Sequence, residues 1–140
     1  MKVYIVIGFL LIYQFSFSQT IMGKWITIDD ETGNKKGIVE IFEENGKISG
    51  KIIEILDPQQ RKQQCSKCEG VNKNKPVLGL QIIKGMTKKG DTYEDGEITD
   101  PKNGKTYRCK ITLVGKDKLI VRGYLGISLF GRSQTWIRQK

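Results

Sequence analysis

Three groups of side chains in this chain could do chemistry: a Cys-x-x-Cys pair, a scatter of carboxylates, and a C-terminal crowd of Arg, Tyr, Gln and Trp. Cys65-Ser66-Lys67-Cys68 has the spacing of a redox pair. Such a pair works at a helix N-terminus within a strand–helix–strand pattern, where a thiol is easily ionised. Here polar loop sequence surrounds it and no such pattern exists. A zinc site would need a fourth ligand beyond Cys65, Cys68 and Cys109. The chain contains no histidine, so only a carboxylate such as Glu69 or solvent could serve. No metal and no cofactor is therefore expected. The remaining reading is an oxidised staple, Cys65 with Cys68, because Cys109 reads as a core residue. A bridge from the loop to Cys109 is the alternative.

The absence of histidine excludes the Ser-His-Asp triad, the Cys-His dyad and proximal-His haem. Catalysis could then use only carboxylate, Lys, Tyr or Ser groups. Glu43-Glu44, Asp91, Glu94-Asp95, Glu97 and Asp100 sit mostly beside Gly and Asn, where acids shape turns. Nothing in their spacing fixes two of them about a cleft, as glycosidase-type chemistry requires. The C-terminal group is different. Arg122, Tyr124, Arg132, Gln134 and Trp136 crowd two adjacent runs, joined by the apolar segment Leu125–Gly131 (LGISLFG). That segment reads either as a plug over a barrel end or as an exposed contact patch. Arg, Tyr, Gln and Trp are the mix that lines a small pocket around a polar ligand.

These residues must be positioned by strands. After residue 22 the chain repeats a short apolar-rich run followed by a polar or glycine turn. The runs are Lys24–Ile28, Gly37–Phe42, Lys47–Leu56, Leu78–Met86, Thr92–Ile98, Lys105–Val114, Lys118–Tyr124 and Gln134–Arg138. Asn45-Gly46 is a strong hairpin signal, since both residues tolerate positive φ. Tyr107, Cys109, Ile111 and Leu113 share one parity, with Arg108, Lys110 and Thr112 on the other, as in a half-buried strand. Eight short strands with short connections predict an all-β chain: one antiparallel up-and-down barrel, with Trp25 and Tyr107 inward. Pro58–Pro76 breaks the rhythm. It is polar, strandless and too long for a turn, so it is expected over a barrel mouth or along the outside.

The first residues read as an address. Met1-Lys2 is a minimal positive region, Val3–Tyr13 an apolar run, and Ser16-Phe17-Ser18 a small-residue cleavage site. A spanning helix needs roughly 20 apolar residues, more than this run supplies. The expected organisation is a signal peptide at 1–18 and one domain at 19–140, exported to a periplasmic or extracellular space. No Cys follows the cut, so no lipid anchor is expected. The net charge is +9, from 24 Lys and Arg against 15 Asp and Glu, and the basic residues are dispersed. Export and dispersion argue against nucleic acid; an anionic lipid or polysaccharide surface suits the charge better.

Several strings resemble a known family. They are Gly23-Lys24-Trp25; Leu78-Gly79-Leu80-Gln81-Ile82-Ile83 with Gly85; Asp95-Gly96-Glu97-Ile98 running into Asp100-Pro101-Lys102-Asn103-Gly104-Lys105-Thr106-Tyr107; and Val121-Arg122-Gly123-Tyr124-Leu125-Gly126 through Gly131-Arg132-Ser133-Gln134-Thr135-Trp136. Together they resemble the small exported bacterial proteins of domain-of-unknown-function family DUF2147. Cys65-Ser66-Lys67-Cys68 looks like the variant in its Bacteroidetes-type members. The resemblance implies an exported compartment and a β-barrel-like fold, and carries no established activity. A second similarity is to the calycins (lipocalins, avidins and fatty-acid-binding proteins), which open with Gly-x-Trp and set a late Arg against that Trp. Gly23-x-Trp25 with Arg138 or Arg132 fits that layout.

The functional expectation is a non-enzymatic binding module for a small, anionic or amphipathic ligand. A carboxylate-based envelope hydrolase and a ligand-free structural or stress protein are the alternatives. The expected site is a barrel end framed by Trp25, Gln81, Asp100, Arg122, Tyr124, Arg132, Gln134 and Trp136, lidded by Pro58–Pro76 or Leu125–Gly131. Intact-mass measurement of the mature protein should place its first residue near Gln19; a mass that retains Val3–Tyr13 would overturn the leader.

Overall fold

A computed structural model describes residues 20–127 and 131–140, together with Val3 and Gly8. The rest of the expected leader, and residues 128–130 of the apolar segment, lie outside the described residues. Eight strands follow in order: β1 (Gly23–Ile28), β2 (Lys35–Glu44), β3 (Lys47–Ile55), β4 (Gln81–Lys89), β5 (Thr92–Thr99), β6 (Thr106–Val114), β7 (Lys118–Tyr124) and β8 (Gly131–Arg138). Each pairs antiparallel with the next, and β8 returns to β1 through Trp25↔Arg138, Ile26↔Ile137 and Thr27↔Trp136, closing the barrel.

Local chemistry explains most boundaries. Asn45 and Gly46 both adopt positive φ, at 53° and 77°, and turn β2 tightly into β3. The alternation along β6 holds: Cys109 and Ile111 are fully buried, with Tyr107 and Leu113 half-buried on either side. Among strand starts, the largest departures from the sequence reading are those of β8 and β4, each three residues away from where the runs begin. β8 starts at Gly131 because Arg132 and Ser133 pair with Gly123 and Arg122 of β7. β4 starts only at Gln81, because Leu80 donates back to the Val77 carbonyl, bending Leu78–Leu80 out of the strand.

The interior is one continuous apolar cluster. It runs from Ile21 and Trp25 through Val39, Ile83, Met86, Ile111, Leu119 and Trp136 to Cys65, Cys68 and Leu80. An eight-stranded barrel is just wide enough for side chains to fill it, and this cluster occupies its interior.

The two ends are sealed differently. At one, Arg138 lies over the Trp25 ring, 4.3 Å from its centroid. Its guanidinium donates to the carbonyls of Lys116, Met22 and Thr20 at 3.0, 3.2 and 2.9 Å. The Trp25 indole N–H donates to Ile21 O at 2.8 Å. Arg138, rather than Arg132, is thus the late arginine set against the Gly-x-Trp tryptophan.

At the other end, the Pro58–Pro76 loop crosses the barrel. It contains two short 3-10 turns, Pro58–Gln60 and Gly70–Asn72, and holds itself together with bonds such as Cys65 N–H to Lys75 O (2.7 Å) and Val77 N–H to Gln63 O (2.9 Å). Cys65 and Cys68 are joined in a disulfide and sink into the barrel core, at 0% and 2% exposure. A loop that reads as polar therefore carries a buried apolar plug. Beside it Gly104 has a φ of +73°, and a Cβ there would land on the Lys67 carbonyl, so only glycine lets the Asp100–Lys105 turn meet the loop.

Two outcomes follow. Replacing Arg138 with Ala removes a ring contact and charge-assisted bonds to three carbonyls; denaturant unfolding should show a loss of about 3 kcal/mol, with Arg138→Lys restoring only part. Cys109 is the free cysteine, fully buried, and desolvation pushes its thiol pKa up to about 12. Its raised pKa means stability is kept below pH 9 and declines as pH rises from about 9 toward 12. At pH 8, iodoacetamide should leave native Cys109 unmodified and label it after unfolding; peptide mapping that finds labelling in the native state would contradict this burial.

Candidate functional site

The connections β1–β2, β3–β4, β5–β6 and β7–β8 all emerge at the end covered by the disulfide loop. Two sides of this rim have opposite chemistry. In the β1–β2 connection, Asp29 accepts from the backbone N–H groups of Glu31 (2.8 Å) and Thr32 (3.0 Å), and Lys36 lies 3.6 Å away. Those N–H bonds, Thr32's foremost, hold its carboxyl below the usual carboxylate range, with Lys36 adding to the effect. Asp30 receives both Nε and an Nη of Arg132, at 2.9 and 2.6 Å. That bond keeps the already basic guanidinium charged. The acidic turn is thus occupied with its own backbone and with one arginine.

Across the rim, the disulfide loop faces the β5–β6 turn. Asp100 shapes that turn by accepting from Lys102 N–H at 2.8 Å, and Asn103 donates to the Tyr107 hydroxyl at 2.9 Å. Thr99 and Thr106 share a hydrogen bond of 3.0 Å between their hydroxyls. Between loop and turn lies a cleft of about 530 Å³, lined by Lys67, Glu69, Asn72, Asn103, Lys105 and Thr106, with Leu125 from the β7–β8 connection at its edge. A second, shallower groove of about 600 Å³ lies along the barrel wall, where Lys84, Glu97 and Arg108 stand side by side on β4, β5 and β6.

The eight residues expected to frame a site do not converge. Trp25 is fully buried at the Arg138 end. Trp136 is buried inside the barrel and donates its indole N–H to Gln134 at 3.1 Å, so this pair satisfies itself within the interior. Arg122 and Tyr124 stand on the outer wall, because Leu119 and Val121 take the inward parity of β7; Arg122 donates to Ser133 there at 2.9 Å. Gln81, Asp100 and Arg132 sit at the loop end.

Sequence reasoning overlooked the residues of the cleft, namely Lys67, Asn72, Asn103, Lys105 and Thr106. Their signal was the Asp-Pro-Lys-Asn-Gly turn together with the long loop, which only the folded chain brings face to face. It also overlooked Asp30 as the partner of Arg132. No metal-ligating group of three acidic or cysteine side chains occurs among the described residues. No described helix is long and apolar enough to cross a membrane.

A solved structure shares this architecture: protein HP1028 from the human pathogen Helicobacter pylori, described as belonging to the lipocalin family. It superposes with a TM-score of 0.77 at 21% identity, over 88% of this chain and 85% of that one. At that identity the likeness speaks for the fold, a lipocalin-like barrel. No curated protein matches the chain. The family described as an uncharacterized protein conserved in bacteria matches residues 23–138, and the buried disulfide suits an extracytoplasmic member of it. The chain belongs to the DUF2147 family.

Proposed function

We propose that this protein is a non-enzymatic binding module, exported to the periplasm or beyond, that holds a small polar or anionic ligand at the loop end of its barrel. The cleft between the disulfide loop and the β5–β6 turn carries this reading. Its volume of about 530 Å³ suits a small molecule. The packed interior moves the ligand from the barrel centre, where lipocalin-like barrels commonly hold one, up to the rim. Lys67 and Lys105 supply positive charge, and the Asn72 and Asn103 amides supply donors. Of the residues expected from sequence, Asp100 shapes one wall, while Arg132 and Gln81 stand nearby on the rim. Trp25, Gln134 and Trp136 serve the core.

In this cleft a hydrolytic reading lacks its second carboxylate. Glu69 is the carboxylate among the described residues lining the cleft. Asp29, Asp30 and Asp100 are committed to turn N–H groups or to Arg132. The disulfide and the apolar leader both favour export.

Native mass spectrometry of protein recovered from an envelope fraction should show a retained small-molecule adduct. Titration of labelled protein with inorganic phosphate and with octanoate should shift the amides of Asn72 and of Asn103–Thr106 for at least one of them. Lys67→Glu with Lys105→Glu should abolish both signals while the melting temperature holds. Absence of an adduct, together with no shift confined to these amides, would sink the proposal.

A further inference from the structure

We infer that the loop end of the barrel docks on an anionic lipid surface, with Val71 and Ile127 as its inserting side chains. Four large apolar residues stand exposed in the loops of this end: Val71 at 78%, Leu125 and Ile127 at 60%, and Leu78 at 42%. Exposed apolar side chains are ordinary singly, but these are grouped. Val71 is the centre of the Gly70–Asn72 turn, Asn72 lines the same cleft as Leu125, and Ile127 follows Leu125 in the β7–β8 connection, so the disulfide loop and that connection both carry exposed apolar side chains near the cleft.

The charge around them is net positive, even with Asp100 counted in the β5–β6 turn. From Asp57 to Leu80 the loop carries Arg61, Lys62, Lys67, Lys73 and Lys75 against Asp57 and Glu69, and the β5–β6 turn adds Lys102 and Lys105. None of these lysines forms an ion pair with another described residue. The acids across the rim are occupied, Asp29 by Lys36 and Asp30 by Arg132. Uncommitted lysines around apolar tips match a bilayer with anionic headgroups: the tips enter the headgroup boundary and the lysines stay at its surface. A dissolved polyanion would use the lysines and gain nothing from the tips. The disulfide holds the loop in the shape that presents Val71.

The docking surface shares Lys67, Lys105 and Leu125 with the cleft, but its inserting side chains, Val71 and Ile127, do not line that cleft, so the two readings separate on them. Mature protein is sedimented with vesicles of pure phosphatidylcholine and with vesicles containing about one third phosphatidylglycerol. Partition onto the anionic vesicles alone is expected, weakening as salt rises. Val71→Ser with Ile127→Ser should weaken it about tenfold, while the melting temperature and the cleft titration stay as in the parent. Equal partition onto both vesicle types, no partition onto either, or anionic binding unchanged in the double variant would each overturn the inference. The last outcome would identify the lysines as a site for polyanions in general.

Discussion

The number of strands fixes how much must fit inside. Eight antiparallel strands enclose a space that side chains alone can fill, and closure leaves no free strand edge to be protected. Everything else in this molecule answers to that limited interior. Trp25 and Trp136 are too large to share it with a full lining of big neighbours. Small residues face inward where the walls crowd. A Cβ on Gly50 would press on Ile83 and Val39 at 3.3 Å, and one on Gly96 would strike the Met86 sulfur and the β4 backbone. Large and small side chains interlock across the barrel, as is usual in narrow ones. The indole N–H groups are answered locally, by Ile21 O and by the Gln134 side chain, so neither tryptophan costs the core a stranded donor.

A filled tube still has two open ends, and the chain closes them with different chemistry. At the Arg138 end the seal is a guanidinium stacked on an indole and bonded to backbone carbonyls of Thr20, Met22 and the β6–β7 turn, which ties residues 20–22 to the last strand. At the loop end the seal is a disulfide. Its two sulfurs are apolar enough to join the core, and the loop's backbone bonds are largely internal. The first seal depends on a charge and its partners. The second depends on a covalent link that keeps Cys65 and Cys68 together, buried, over a barrel they are not part of.

The architecture was legible in the sequence because strand signals are local. Parity along Tyr107–Leu113, the Asn45-Gly46 turn and the spacing of glycine turns all act between near neighbours, and the eight strands lie where those signals stand. The Cys65–Cys68 pairing was legible for a similar reason, being a contact across three residues. What the sequence hid is the face on which each C-terminal residue stands. Arg122 and Gln134 both fall in polar-looking runs, yet Arg122 shares its face with Ser133 on the outside, while Gln134 lies opposite Val121 within. Only the buried parity of Leu119 and Val121, tied to the β7–β8 register, separates them. Arg132 and Arg138 are likewise the same residue type on the same strand, six positions apart and so at opposite ends of the barrel. Nor does a string as polar as Pro58–Pro76 announce that its two cysteines will act as core residues.

The concentration of chemistry at one end has a topological cause. In an up-and-down meander, successive connections emerge alternately at the two ends. Here β2–β3, β4–β5 and β6–β7 are short hairpins, while β1–β2, β3–β4, β5–β6 and β7–β8 are the longer connections, all at the other end. A closed core tolerates changes in such loops at little cost to the barrel, since loop length enters stability only slowly. The cost falls on the mouth itself, where a longer loop must either leave apolar side chains wet or cover them. This chain does both: Val77, Cys65 and Cys68 cover the core, while Val71, Leu125 and Ile127 remain in water. The covered set explains how the barrel holds together. The wet set has no role in that packing, and it stands beside a lysine-lined cleft.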